Sequence, residues 1–211
     1  MKQKVILSTG NPNKVRELGE LLGTDRFEVV SKAELGFEDL EIPETGNTLQ
    51  ENARQKVDGL CQVLCASGDH WENAWILADD TGLFVDALDG APGIYAARYA
   101  GENVTEADNV NKLLAELQNV AWSNRTAHFE TCIAVRIHGH VQMFIGRLDG
   151  RILEERRGTN GFGYDPVFYV PEEGKSLAEM SDEEKNAISH RGRAYQALLQ
   201  AIERSEKADA Q

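Results

Sequence analysis

No apolar stretch in this sequence approaches the roughly 18 residues a membrane-crossing helix needs. Nor is there a signal-peptide core, because Met1-Lys2-Gln3-Lys4 passes straight into Val5-Ile6-Leu7-Ser8. Cysteine is scarce: Cys61, Cys65 and Cys132 are the only three, and none stands in CxxC spacing. That count points to buried free thiols in a reducing compartment, not to a disulfide or a zinc site. Internal repeats, low-complexity tracts and Pro/Gly/Ser linkers are missing as well. Positive charge is in short supply, with 22 Lys and Arg against 35 Asp and Glu and a net charge of −13. Such a chain is a poor partner for a nucleic-acid duplex or an anionic membrane. It can still take a small phosphorylated ligand if its cations gather in one place. A cytoplasmic protein with no nucleic-acid or membrane partner is expected.

The 211 residues, 41% apolar and 27% charged, suit a single domain over 1–211. Lys4–Ser8 and Phe27–Ser31 read as short strands. Pro12–Gly23 reads as a helix with Val15, Leu18, Leu21 and Leu22 on one face. Thr48–Ala66 reads as a longer helix with a Thr48/Glu51 capping box and a stripe of Leu49, Ala53, Val57, Leu60 and Leu64. Ala74–Asp80 is a strand ending in two acids, and Phe84–Leu88 is a candidate further strand. Asp108–Val120 is a helix. Thr126–Gly150 alternates with period two on either side of Gly139, the pattern of a hairpin. Helices at Ser181–Ile188 and Arg193–Glu206 come next, and the acidic, Ala-rich end is expected to fray from about residue 205. The order β-α-β-α-β, hairpin, helices predicts an α/β fold with a mixed sheet flanked by helices.

Six residues, Thr9-Gly10-Asn11-Pro12-Asn13-Lys14, separate the first strand from the first helix. A loop at that place lies at the carboxyl end of a sheet, where ligands bind in open α/β folds. Asn11 can cap the helix and Pro12 suits its first position. Lys14 then falls in the first turn, where the helix dipole disfavours a cation unless an anion is bound, and the free N–H groups there suit phosphate oxygens. No Walker A pattern is present. Taken alone, a polar turn with a solvated lysine explains the loop equally well.

Asp79 and Asp80 come after four apolar residues. Neighbouring strand residues point to opposite faces, so a shared site requires a bend, which Thr81-Gly82 is expected to supply. Two carboxylates at a buried strand end repel and lose hydration, costs that a hard cation such as Mg²⁺ would offset. The alternative is a pair of turn-forming acids. Glu44 is a third candidate acid. Lys56 lies at the edge of the Leu49–Leu64 stripe, either snorkelling or reaching a site beside the core. Gly161-Phe162-Gly163-Tyr164-Asp165 alternates glycine with rings that can stack on a base or cover the core. Lys185, His190, Arg191 and Arg193 cluster near a second helix start that Ser189 can cap, and a basic solvated turn is the competing reading.

These pieces in this order (Thr9–Lys14, Ala78–Tyr99, Gly161–Phe168 and Glu183–Gly192) resemble the inosine triphosphate pyrophosphatase family, in its bacterial form, over nearly the whole chain. The resemblance implies hydrolysis of non-canonical purine nucleoside triphosphates to monophosphate and pyrophosphate. It implies a Mg²⁺ requirement, a homodimer, and an elongated mixed sheet in two lobes with the active cleft between them. By motif, Thr9, Gly10, Asn11, Pro12, Asn13 and Lys14 would hold the phosphates, with the side-chain roles of Pro12 and Asn13 open. Lys56 would contact phosphate in the same way. Asp80 would be the general base, and Asp79 and Asp80 would lie at the metal with Glu44 joining them. Thr81 would touch substrate. Phe162, Gly163, Tyr164 and Asp165 would embrace base and sugar, and Lys185, His190 and Arg191 would complete the contacts.

In that reading water attacks the α-phosphorus in line, with Mg²⁺ and the lysines taking up charge on the departing pyrophosphate. An ordinary carboxylate is ionised at pH 7, so Asp80 needs no raised pKa to accept a proton. A like charge beside it would raise that pKa and a cation would lower it. The implied bases are 6-oxopurines, since donors aimed at O6 would oppose the amino group of adenine. The rival readings are a nucleotide sensor without turnover and a phosphohydrolase that removes only the terminal phosphate.

Overall fold

The computed structural model describes residues 2–23, 25–68, 71 and 73–209. Short apolar runs form β1 (Gln3–Leu7), β2 (Phe27–Ser31) and β3 (Trp75–Val85), separated by α1 (Pro12–Leu22) and α2 (Leu49–Ala66). Then come β4 (Pro92–Gly93), α3 (Glu106–Glu116), the long strands β5 (Thr126–Ile137) and β6 (His140–Ile152), and the short β7 (Phe168–Val170) and β8 (Lys175–Ser176). Helices α4 (Asp182–Ile188) and α5 (His190–Asp209) close the chain.

Among the described residues the strands form one eight-stranded sheet in the order β2-β1-β3-β5-β6-β7-β8, with β4 paired to β3. β1 runs parallel to β2 and β3, as helical crossovers demand. β4 on β3, β7 on β6 and β8 on β7 are antiparallel. The β5–β6 hairpin turns at His138 and Gly139, both at positive φ (47° and 84°), as a two-residue turn requires. The sheet is mixed and flanked by helices, as the sequence predicts. None of the described helices is long and apolar enough to cross a membrane.

The chain divides into two compact units. Unit 1 comprises residues 1–80, 131–145 and 194–211, and unit 2 comprises 81–130 and 146–193. Each has its own core. In unit 1, Val5, Leu7, Leu18, Phe27, Leu77, Ile133 and Leu198 pack together. In unit 2, Leu83, Leu113, Leu117, Phe129, Ile152 and Phe168 do so.

Five local expectations are corrected. β3 does not turn at Thr81-Gly82, because β4 pairs with it at Leu83↔Gly93 and Phe84↔Pro92 and carries the ladder onward. At the start of α2 only half the capping box forms. Thr48 accepts from the Glu51 N–H, but the Glu51 carboxylate accepts from Asn47. Of the three free thiols only Cys132 is buried, since Cys61 is half-buried and Cys65 lies outside the apolar stripe of α2. Helix α3 starts at Glu106, because Thr105 and Asp108 form a full capping box. Helix α5 runs to Asp209 instead of fraying near 205. Its Glu, Lys and Ala favour helix, and Arg26 pairs with Glu206 at 2.6 Å.

Candidate active site

The register of unit 1 sets the first cluster of side chains. Leu7 of β1 pairs with Leu77 of β3, and the Ser8 N–H donates to the Leu77 carbonyl at 2.7 Å. The Thr9–Lys14 loop therefore leaves β1 where β3 continues to Asp79 and Asp80. Ser8 Oγ donates to the backbone carbonyl of Lys56 at 2.9 Å, which ties α2 to the same point. Three elements thus converge, and each contributes charge. Lys14 Nζ lies 3.0 Å from Asp79 Oδ2. Lys56 Nζ lies 2.7 Å from Asp80 Oδ1, 3.0 Å from Glu44 Oε2 and 3.3 Å from the Asp79 carbonyl. The two acids need no bend between them, because each meets a lysine from a different helix. Lys56 takes the reaching option, not the snorkelling one.

Burial would depress the Lys56 ammonium, but Asp80, Glu44 and Asp79 together hold it above the ordinary lysine value. Asp80 is pushed above the usual carboxylate range by burial, against the pull of Lys56 and Lys14, with Glu44 adding to the rise. The like charge that matters is therefore Glu44, and desolvation outweighs it.

The Thr9–Lys14 loop is closed on itself. Asn11 Oδ1 accepts from the Asn13 and Lys14 N–H groups at 2.9 and 3.4 Å, Pro12 has none, and the Val15 N–H goes to the Asn11 carbonyl. Thr9 Oγ1 accepts from Asn11 at 3.2 Å. The cap is as the sequence predicts, and it engages the Asn13 and Lys14 N–H groups expected to face phosphate. Glu44, Asp79 and Asp80 are likewise not gathered as one metal-ligand set. Among the described residues no three His, Cys, Asp or Glu side chains are. Asp79 is paired with Lys14, and Asp80 and Glu44 share Lys56.

Unit 2 holds the second cluster. Asp165, at a buried turn, accepts from Lys185 Nζ at 2.7 Å and from the Phe162 N–H at 2.9 Å. Gly161, at φ 72°, has no room for a side chain, which would collide with that carboxylate. Lys185 Nζ lies 4.8 Å from the centre of the Phe162 ring, and the Arg191 guanidinium carbon lies 5.6 Å from it. Arg191 also donates to Thr81 Oγ1 at 3.3 Å. The Gly163 N–H donates to Glu106 at 2.7 Å. Ser189 caps α5 by accepting from Gly192 at 3.0 Å, as the sequence predicts, which places His190 and Arg191 in the first turn.

Two side chains stand apart from this cluster. Tyr164 is a core residue whose hydroxyl donates to the Ala96 carbonyl at 2.8 Å, because its ring is needed to fill unit 2. Phe162 is the half-buried ring of this segment. Arg193 leaves the cluster, being exposed and bonded to the Arg147 carbonyl at 2.6 Å. His190 is buried and stacked on Phe129, with centroids 4.5 Å apart.

The structure adds two residues that sequence reasoning misses, Asn52 and Glu106. Asn52 donates to Asp80 Oδ2 at 3.3 Å. It stands one turn before Lys56, and the period that singles out Lys56 points to it equally. Glu106 carries no comparable signal.

The Ham1 family model matches residues 5–201. A Bacillus anthracis protein named dITP/XTP pyrophosphatase is 48% identical over 206 residues, covering 96% of this chain and 96% of that one. A Thermoanaerobacter sp. (strain X514) protein of the same name is 46% identical, covering 94% and 96%. The solved Staphylococcus aureus Ham1 protein aligns with a TM-score of 0.80 at 38% identity, covering 97% of this chain and 100% of that one. A HAM1 protein from Coxiella burnetii aligns at 0.81 and 36%, covering 96% and 99%. With a family match over almost its whole length and relatives this similar end to end, the chain belongs to the Ham1 family.

Proposed function

We propose that the protein hydrolyses dITP, ITP, XTP and dXTP to the monophosphate and pyrophosphate, and so clears non-canonical purines from the nucleotide pool. The observation that carries this reading is the Asp79–Lys14 and Glu44–Lys56–Asp80 arrangement. It is the kind of set a phosphoanhydride hydrolase requires, in a chain whose near full-length relatives bear the name dITP/XTP pyrophosphatase.

Phosphate chemistry falls to unit 1. Lys14 and Lys56 exchange carboxylate partners for phosphate oxygens as the triphosphate binds, with Thr9–Asn13 shaping the loop. Asp80, released from Lys56, accepts the proton of the attacking water. The Mg²⁺ requirement rests on the family resemblance, since each of the three carboxylates is paired with a lysine here and becomes a free hard oxygen donor only once that lysine turns to phosphate. Asp79, Asp80 and Glu44 would hold that ion, which when bound offsets charge on the phosphates and on the leaving pyrophosphate. Base recognition falls to unit 2. Phe162 stacks on the purine, and Lys185 and Arg191 supply the donors that favour a 6-oxo group, with Thr81 and the 163–165 backbone beside them. The family resemblance extends the reading to a cytoplasmic homodimer, which sedimentation of the purified protein tests.

The experiment is turnover of dITP with and without Mg²⁺ by the wild-type protein and Asp80→Asn. Pyrophosphate is the expected product, and orthophosphate alone would point to terminal-phosphate removal. Asp80→Asn is expected to lose about 10²- to 10⁴-fold in kcat while still binding nucleotide. Undiminished turnover in that variant would remove the base.

A further inference from the structure

Thr45, Gly46 and Asn47, directly after Glu44, have their backbone N–H groups stitched to α2. Thr45 donates to Gln55 Oε1 at 2.9 Å, Gly46 to Asn52 Oδ1 at 2.9 Å, and Asn47 to Glu51 Oε2 at 2.6 Å. The loop lies so close to the helix that a Cβ on Gly46 would come within 2.7 Å of Asn52 Oδ1 and 2.5 Å of Glu51 Cβ. Of the three side chains, Asn52 is the buried one, 1% exposed, and it alone has a second contact with a reacting group. Gly46 N–H is a donor, so the Asn52 oxygen must face it. The amide nitrogen is thereby turned onto Asp80 Oδ2. Asp80 Oδ1 meanwhile meets Lys56.

We propose that Asn52 is a positioning residue for Asp80. Its amide fixes the plane of the Asp80 carboxylate and couples it to the loop that carries Glu44. When a triphosphate draws Lys56 away, the Asn52 donor stays. The carboxylate then keeps its aim at the attacking water instead of rotating about its last side-chain bond. This rests on the reading of Asp80 as the base.

The test compares Asn52→Asp, Asn52→Leu, Glu51→Ala and Asp80→Asn. Asn52→Asp keeps an acceptor for Gly46 but has no donor for Asp80. Asn52→Leu loses both, and if it does not fold the Asp variant decides alone. Glu51→Ala releases the loop at Asn47 without touching Asp80. Steady-state turnover of dITP is read beside thermal melting and calorimetric binding of a non-hydrolysable triphosphate analogue. Both Asn52 variants are expected to lose about 10- to 100-fold in kcat, the range typical of residues that orient a reacting group from behind. KM and analogue binding should hold, and Glu51→Ala should lose some thermal stability at unchanged kcat. Wild-type kcat in Asn52→Asp, with Asp80→Asn inactive, overturns the role of Asn52 and leaves the base in place. Equal kcat losses in Glu51→Ala and the Asn52 variants reduce Asn52 to one of three loop anchors and overturn the proposal. Full turnover in Asp80→Asn removes the base itself, and the positioning role falls with it.

Discussion

Each unit of the molecule contains a lysine 2.7 Å from an aspartate, and the two pairs are built for different work. In unit 2 the side chains of Lys185 and Asp165 are 4% and 5% exposed, and Asp165 also accepts the Phe162 N–H. In unit 1 the side chains of Lys56 and Asp80 are 15% and 9% exposed, and Lys56 divides itself between Asp80 and Glu44. Equal distance does not mean equal function. The closed pair braces the Phe162 turn and fixes the Lys185 ammonium against that ring. The more open pair is the one whose members would change partners under the proposed triphosphate binding. Burial and the number of competing partners distinguish the two.

The largest effect expected from this contrast is on stability. Lys185→Met keeps the apolar stem but strands Asp165 in the core, and breaking a buried pair typically costs about 3–5 kcal/mol. Lys56→Met is expected to cost less. Burial already raises the Asp80 pKa and the loss of Lys56 would raise it further, so the carboxylate can take up a proton in the variant, and the Asn52 donor remains. Its loss should appear instead as weaker triphosphate binding. Chemical denaturation of the two variants side by side makes the comparison, and equal losses would mean that both pairs are struts.

A smaller effect is expected at Lys14, whose ammonium sits 3.0 Å from Asp79 at the mouth of the first loop. Lys14→Ala should weaken triphosphate binding by about 1.5–3 kcal/mol, the usual value of a hydrogen bond to a charged group. Nucleoside binding should be left alone. Titration calorimetry with dITP analogue and with inosine reads the difference, and equal losses would place Lys14 away from phosphate.

Much of unit 1 can be read from its sequence because its signals are local. Asn11 and Pro12 announce a helix start within a few residues, and Lys56 declares itself by helical period against a clear apolar stripe. The stretch beyond Asp80 is harder, because β3 continues only through pairing with β4, a two-residue strand without alternation of its own. In unit 2 the Phe162–Asp165 stretch is legible as chemistry but not as geometry. Phe162 and Tyr164 are equivalent in a Gly-aromatic-Gly-aromatic run, and only tertiary packing sends Tyr164 inward. The helical period places Asn52 beside Lys56, but its contact with Gly46 depends on a loop whose position no local pattern encodes.

That divergence of two rings gives a sharper test within unit 2. Phe162→Leu should lose about 1–3 kcal/mol of nucleoside binding, the value of a base stacked on an aromatic ring. Tyr164→Phe should leave binding intact and lower stability by about 0.5–1.5 kcal/mol through the missing bond to Ala96. If the effects are exchanged, so are the roles of the two rings.

The smallest effect concerns acid. In unit 2 His128 stacks on Phe84, with centroids 4.9 Å apart. Burial lowers its pKa below the ordinary histidine value and Arg147 adds to the fall, while Asp149, Glu130 and Asp86 oppose it. The folded chain therefore prefers neutral His128, whereas the unfolded chain takes up a proton near pH 6.5. Below that pH the unfolded state binds more protons, so stability falls between about pH 6.5 and the depressed folded value and is unaffected by this group above it. His128→Gln should flatten that part of the stability–pH curve and leave the neutral region unchanged, as denaturation midpoints taken from about pH 5 to 8 would show. An undiminished acid slope in the variant would move the sensitivity to another group, and Asp80 would not be its source. A carboxylate whose pKa is raised in the fold favours the folded state on acidification, which is the opposite sign.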